Sequence, residues 1–193
     1  MRLAIFTALL LISLGAVNAM AADAFRWYLV QDQSRLTYNN PASGGIVPIK
    51  TYYADIFFDP DKLSASHIMI TADISTLFLN GADVNVAELN KMLPTVEVLP
   101  DSPATAVFKS DTIKKGSNGQ YLAEGKLTAN KVTRRFVLPF TARLSKHETG
   151  VPMLSLDSSF TIDRSEYTTR PMGQTGPTLI PFQITISAIP GKP

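Results

Sequence analysis

The chain has 193 residues, no cysteine, and 18 Lys+Arg against 16 Asp+Glu. A chain of this size buries roughly 70% of its unfolded surface as one domain, and 45% apolar with 18% charged residues suits a packed globule rather than disorder. The near-neutral balance lacks the electrostatic footprint of a nucleic-acid binder, and the missing cysteines exclude disulfides, thiolate metal sites, cysteine nucleophiles and a cysteine-linked lipid anchor.

Residues 1–21 are expected to be a signal peptide. Arg2 supplies a positive start, Leu3 to Val17 is an apolar run broken only by Thr7, Ser13 and Gly15, and Ala19-Met20-Ala21 presents small residues where a signal peptidase reads them. Cleavage before Ala22 is the first choice, and cleavage after Ala19 the second. A membrane anchor is the alternative, but the run falls short of the ~20 residues of a span and no basic stop-transfer cluster follows. Residues 22–193 then form one domain with no integral membrane span after cleavage. The expected location is the periplasm, or outside the cell where there is none.

In chain order, Trp27 to Val30 and Leu36 to Asn39 read as short opening strands, and Ile46 to Phe58 as a long extended segment with apolar groups on both faces. From Ser66 to Thr76, Ile68, Ile70, Ala72 and Ile74 share one face and His67, Met69, Thr71, Asp73 and Ser75 the other. Such alternation marks a strand with one buried side. Between Asn80 and Pro94 the rhythm changes. Val86, Leu89, Asn90 and Leu93 fall at helical spacing, Asn80 or Asp83 can cap the start and Pro94 ends it. A short helix is expected there, plugging an open barrel end with Leu89 and Leu93 or moving as a lid.

Thr105 to Lys114 and Gln120 to Ala129 predict a hairpin closed by the turn-rich Lys115 to Gly119, and Asn130-Lys131 closes the next one into Val132 to Leu144. There Phe136, Leu138, Phe140, Ala142 and Leu144 alternate with more polar neighbours. Leu154, Leu156, Phe160 and Ile162 do the same, as do Phe182, Ile184, Ile186 and Ala188. The tail from Pro190 reads as a frayed end. Alternation of this kind belongs to antiparallel sheet, because buried parallel strands read as unbroken apolar runs. The long strands have the reach of a barrel.

Catalytic chemistry finds little support. A nucleophile needs a base and an orienter, yet His67 sits on a polar strand face and His147 in the charged Lys146-His147-Glu148 loop. No zinc spacing, calcium loop or Gly-x-Ser-x-Gly elbow occurs. Gly44-Gly45 and Gly173-Gln174-Thr175-Gly176 precede no helix, so they form no phosphate cradle. Lys114-Lys115 and Arg134-Arg135 read as solvated pairs, with an anionic head group or membrane surface as the functional alternative. What remains is the apolar face. An eight-stranded barrel is just filled by side chains or holds one slender ligand. From composition, a ligand-lined cavity and an interlocked aromatic core stand as equal readings.

Several segments together resemble the YceI-like proteins. Trp27 with Ser34-Arg35-Leu36-Thr37-Tyr38 is similar to that family's opening tryptophan and S-x-(I/L)-x-(F/Y) strand. Ile56-Phe57-Phe58-Asp59-Pro60 resembles its I-x-F-D-P strand end, and Ala106-Val107-Phe108-Lys109-Ser110 its x-x-F-x-S strand. Glu124-Gly125-Lys126-Leu127-Thr128 with Val132-Thr133 resembles G-x-L-T and its continuation, and Ile162-Asp163-Arg164-Ser165-Glu166-Tyr167 the (I/L)-x-R-S-(D/E)-(F/Y) segment. The chain departs from the pattern at Pro48 to Tyr52, in Val84 to Leu93 and at Thr168.

The resemblance implies an all-β, eight-stranded antiparallel lipocalin-like barrel with one short helix capping an end. It also implies an exported carrier of a long-chain isoprenoid or fatty-acid-like ligand, without catalysis, cofactor or metal. The expected cavity-lining residues are Ile70, Ile74, Phe108, Tyr121, Phe136, Leu138, Phe140, Phe160 and Phe182. Arg164 is expected either in an ion pair with Asp163 and Glu166 or at the mouth, engaging a polar lipid head. A second copy of the chain is one option as a partner. The rivals are a filled-core barrel acting through its surface, as an adaptor or stress-response protein, and an outer-membrane barrel with its apolar face turned to lipid. An enzyme would need a pocket in which His67 or His147 meets a carboxylate.

Overall fold

A computed structural model describes residues 25–40, 45–74, 76–79, 82–85, 105–147, 149–167 and 179–191. The expected signal peptide lies outside them. The strands are β1 (Arg26–Leu29), β2 (Arg35–Asn40), β3 (Gly45–Pro48), β4 (Tyr52–Phe57), β5 (His67–Asp73), β6 (Thr76–Leu79), β7 (Ala82–Asn85), β8 (Thr105–Lys115), β9 (Tyr121–Ala129), β10 (Val132–Lys146), β11 (Pro152–Asp163) and β12 (Leu179–Pro190). The ring β1-β4-β5-β8-β9-β10-β11-β12 closes on itself through β1–β12 pairing, giving eight antiparallel strands in a barrel.

Two further strands extend the ring. β2 pairs with β12, and β3 pairs with β2. β1 and β2 occupy the same edge of β12: Trp27–Leu29 lie beside Ala188–Pro190, and Arg35–Tyr38 beside Phe182–Thr185. They form one lane broken by a 3-10 turn at Gln31–Gln33. Ser34 mends the break, its Oγ donating to the Val30 carbonyl at 2.7 Å and accepting from the Ser187 N–H at 3.0 Å. The tail read as frayed helps close the barrel instead. Pro190 sits opposite Trp27, and the Gly191 N–H donates to the Arg26 carbonyl at 3.0 Å.

Turn chemistry sets the registers. Asn130 and Lys131 both have positive φ (50° and 63°), as a two-residue hairpin that follows the sheet twist requires. Between β8 and β9 the register shifts by one at Ser110/Thr112. Gly125 lies under this bulge, where a Cβ would come within 2.6 Å of the Ser110 Cα. The bulge aims the Ser110 Oγ at the Ile68 N–H, which donates to it at 2.8 Å.

The expected helix over 80–94 is corrected at its start. Ala82–Asn85 pairs with Thr76–Leu79 in a two-stranded hairpin, and among the described residues nothing helical exceeds a 3-10 turn. Asp83, one of the two residues read as a helix cap, lies in the β7 strand opposite Phe78. Leu89 and Leu93 lie outside the described residues.

Inside the ring, alternate residues converge. Trp27, Ile56, Phe58, Ile68, Leu154, Ile186 and Ala188 are all buried and form one solid end. The Trp27 Nε1–H donates to the Phe58 carbonyl at 2.8 Å, which satisfies the indole in this apolar plug. Outward positions carry Lys109, Lys126, Arg143, Asp157, Gln183 and Thr185, all exposed. Apolar side in and charged side out is the reverse of an outer-membrane barrel, whose outer face meets hydrocarbon.

Candidate functional site

The inward aromatic residues divide into two groups. Near the solid end, Tyr121 stacks on Phe140 with centroids 5.4 Å apart, and both meet Phe58 edge-on at 5.1 and 5.7 Å. Phe140 is fully enclosed there. The second group runs as an arc around the opposite end: Tyr38 to Phe182 (5.9 Å), Phe182 to Phe160 (5.5 Å), Phe160 to Phe136 (5.3 Å) and Phe136 to Phe108 (6.0 Å). Phe108 is buried, but Tyr38, Phe136, Phe160 and Phe182 are only partly so, although all point inward. The barrel therefore changes along its length, from a filled base to an aromatic end whose inward rings are only partly buried.

Other expected lining residues fall around this arc. Ile70 is buried opposite Phe108, Leu138 is buried, and Ile74 packs partly buried against the core. Alternation pointed to Phe108, Phe136, Phe160 and Phe182, whereas Tyr121 and Phe140 belong to the filled base. Tyr38 was absent from the expected lining, although Leu36-Thr37-Tyr38 carries the same period-two signal.

Polar groups are few at the aromatic end. The Tyr52 hydroxyl is buried with no hydrogen-bond partner among the described residues, and burial raises its pKa, with Arg35 pulling the other way. Burial pushes the Tyr38 phenol up to about 12. Arg164 lies in the 3-10 turn Arg164–Tyr167 that follows β11, and its Nε is likewise buried without a partner. That turn is held by the Asp163 Oδ1, which accepts from the Ser165 N–H and Oγ at 3.0 and 2.7 Å, and by the Arg134 Nε donating to the Glu166 carbonyl at 3.4 Å. Buried polar atoms without partners cost free energy and call for a reason.

The remaining candidates face outward. His67 stacks on Phe57 at 4.4 Å, and the Nδ1 of His147 accepts from the Thr149 N–H at 3.3 Å within its own turn. Lys114 pairs with Glu124 at 2.8 Å on the surface, and its hydrogen bond holds that carboxyl below the usual range. Among the described residues no three His, Asp or Glu side chains gather where they could hold a metal ion.

Much of what made the sequence distinctive closes the barrel. Trp27 plugs the base, and Ser34 mends the β1/β2 break. Asp59 accepts from the Asp61 N–H at 2.9 Å to shape the turn after β4, while Ser110 and Gly125 form the β8/β9 bulge.

The fold is similar to that of Burkholderia cenocepacia BcnA, with a TM-score of 0.60 at 18% identity over 83% of this chain and 98% of that one. It is also similar to a Campylobacter jejuni YCEI protein, with a TM-score of 0.59 at 20% identity over 76% of this chain and 85% of that one. A cysteine mutant of CJ YCEI protein, crystallised with a monobromobimane guest, gives 0.60 at 20% identity with coverages of 76% and 85%. At such identities the likeness speaks for the fold alone. No curated protein matches the sequence. The family model for the YceI-like domain matches residues 27–188, from the tryptophan in the base to the alanine opposite Leu29 on β12, and the chain belongs to that family of barrels suited to a binding or carrier role.

Proposed function

We propose that this protein is an exported carrier that holds one long-chain apolar or amphiphilic lipid, of polyisoprenoid type, in the aromatic end of its barrel and performs no covalent chemistry. The observation that carries this reading is the arc from Tyr38 to Phe108. Four of its five inward aromatic residues keep partial exposure, while the base beneath is filled. Each methylene buried there contributes ~0.8 kcal/mol, so ten supply roughly 8 kcal/mol before ordering costs. The Tyr52 hydroxyl and the Arg164 Nε, at the same end, suit the polar terminus of such a molecule. Removal of residues 1–21 on export is part of the proposal.

Native mass spectrometry of protein purified from its own host, followed by organic extraction, tests it. The expected result is a mass increment that extraction removes and that the extract returns as a long-chain lipid. Protein that always runs at its bare mass and yields an empty extract supports the filled-core reading instead.

A further inference from the structure

The barrel wall is not continuous. β9 and β10 stay paired from Tyr121/Phe140 to Ala129/Val132, and β11 and β12 stay paired from Leu154/Ala188 to Asp163/Leu179. β10 and β11 pair only from Lys146/Pro152 to Thr141/Asp157. Beyond that rung, residues 132–140 of β10 and 158–163 of β11 lie side by side without a ladder.

Pro139 stands at the break. Two positions on, past Phe140 and Ser158, the register would set Pro139 against Ser159. The Ser158 hydroxyl reaches across and donates to the Pro139 carbonyl at 2.5 Å, so that carbonyl faces β11. A strand residue turns its N–H and C=O to the same edge, so the missing N–H of Pro139 is the one β11 needs. At the far end, the Arg134 Nε bond to the Glu166 carbonyl spans from β10 to the turn after β11. On the outside, a groove of ≈ 340 Å³ lies over the lower end of the seam, lined by Pro139, Thr141, Asp157 and Ser159 among others. On the inside, Phe136 and Phe160 meet edge to face and are partly buried. Two aromatic side chains and two hydrogen bonds thus stand at this seam, while β9–β10 and β11–β12 on either side keep their ladders.

We infer that the β10–β11 seam is a lateral gate, through which a lipid chain passes between the aromatic interior and the outside by parting Phe136 from Phe160. The inference rests on the carrier reading for its cargo but not for the seam. Among the described residues this stretch has no ladder to break, and parting it admits a long chain sideways.

Two measurements on the full chain test it. By alternation the amides of Arg135, Val137 and Thr161 face the seam, whereas those of Phe136, Leu138 and Phe160 face paired strands. Site-resolved hydrogen exchange is expected to be at least tenfold faster for the first set. Equal protection of the two sets overturns the seam and leaves the carrier reading intact. Because the chain has no cysteine, Val137→Cys with Thr161→Cys can be bridged by a short bis-maleimide across the seam. Arg143→Cys with Ser155→Cys, a paired rung of the same strands, serves as the control. With parinaric acid as probe, the seam bridge is expected to slow loading and release at least tenfold, with affinity within about threefold and the control unchanged. Unchanged rates in the bridged protein overturn the gate. An unbridged chain that takes up no parinaric acid, and no lipid in its host, overturns the carrier reading and its gate together.

Discussion

Phe136 and Phe160 meet edge to face with centroids 5.3 Å apart, across two strands that share no ladder at that height. Phe140, two steps of the alternation below, is locked between Phe58 and Tyr121 instead. Substitution should separate the two environments. Phe160→Ala is expected to weaken binding of a single-chain lipid about tenfold, the ~1.4 kcal/mol of a partly lost aromatic contact, with a modest effect on stability. Phe140→Ala is expected to cost about 3–5 kcal/mol of folding stability, and Phe140→Asp, which buries a charge, should not fold stably. Denaturant titration with lipid binding checks both, and equal stability losses at the two sites would contradict the division.

The β8/β9 bulge is expected to be intolerant. Gly125→Ala places a methyl against the Lys109 carbonyl and the Ser110 backbone, at a cost of at least the ~1–3 kcal/mol of an overpacked core. Ser110→Ala leaves the buried Ile68 N–H without its acceptor, costing about 1–3 kcal/mol. Shifts in the urea midpoint at unchanged m-value measure both, and a neutral Gly125→Ala would show that the register shift is not needed.

Tyr52 offers an opposite sign. Its hydroxyl is buried without a partner, so Tyr52→Phe removes a desolvation penalty and should leave stability equal or raise it by about 1 kcal/mol. Binding of a long-chain alcohol should weaken several-fold while binding of the matching hydrocarbon does not change. Equal effects on the two ligands would remove Tyr52 from the site.

Alkaline pH should act through Tyr38. Its folded pKa, about 12 against 10.0 for the free phenol, is raised by burial. The folded state therefore holds this proton more tightly. The associated stability is fully present below pH 10 and falls as pH rises toward 12. The melting temperature of Tyr38→Phe, compared with the parent between those limits, should decline less steeply. Parallel declines would place the phenol in solvent.

Strands such as Phe136 to Phe140 were legible because alternation writes burial directly into one segment, although the same pattern continued to Leu144, which lies exposed. The relation between segments was not. Whether Phe140 joins Phe136 or Tyr121 depends on the registers of β9, β10 and β11, which no single strand records. Pro139 read as one more residue on an outward face, since its effect appears only when its carbonyl is seen to face β11. The pairing of Ala82–Asn85 with Thr76–Leu79 was not legible because these four residues run directly into the helical spacing of Val86, Leu89 and Leu93. Pro190 and Gly191 looked like a loose tail because closure with Arg26 and Trp27 joins opposite ends of the chain.

The aromatic end as the seat of the ligand can be read directly with a doxyl-labelled stearate and methyl-labelled isoleucines. Ile70, Ile74 and Ile162 pack beside the arc, whereas Ile56, Ile68 and Ile186 are sealed in the base and Ile46 lies exposed on the outside. Binding is expected to broaden the first three methyl signals strongly and leave the other four sharp. Broadening confined to Ile46, or spread evenly over all seven, would contradict a lipid held within the barrel.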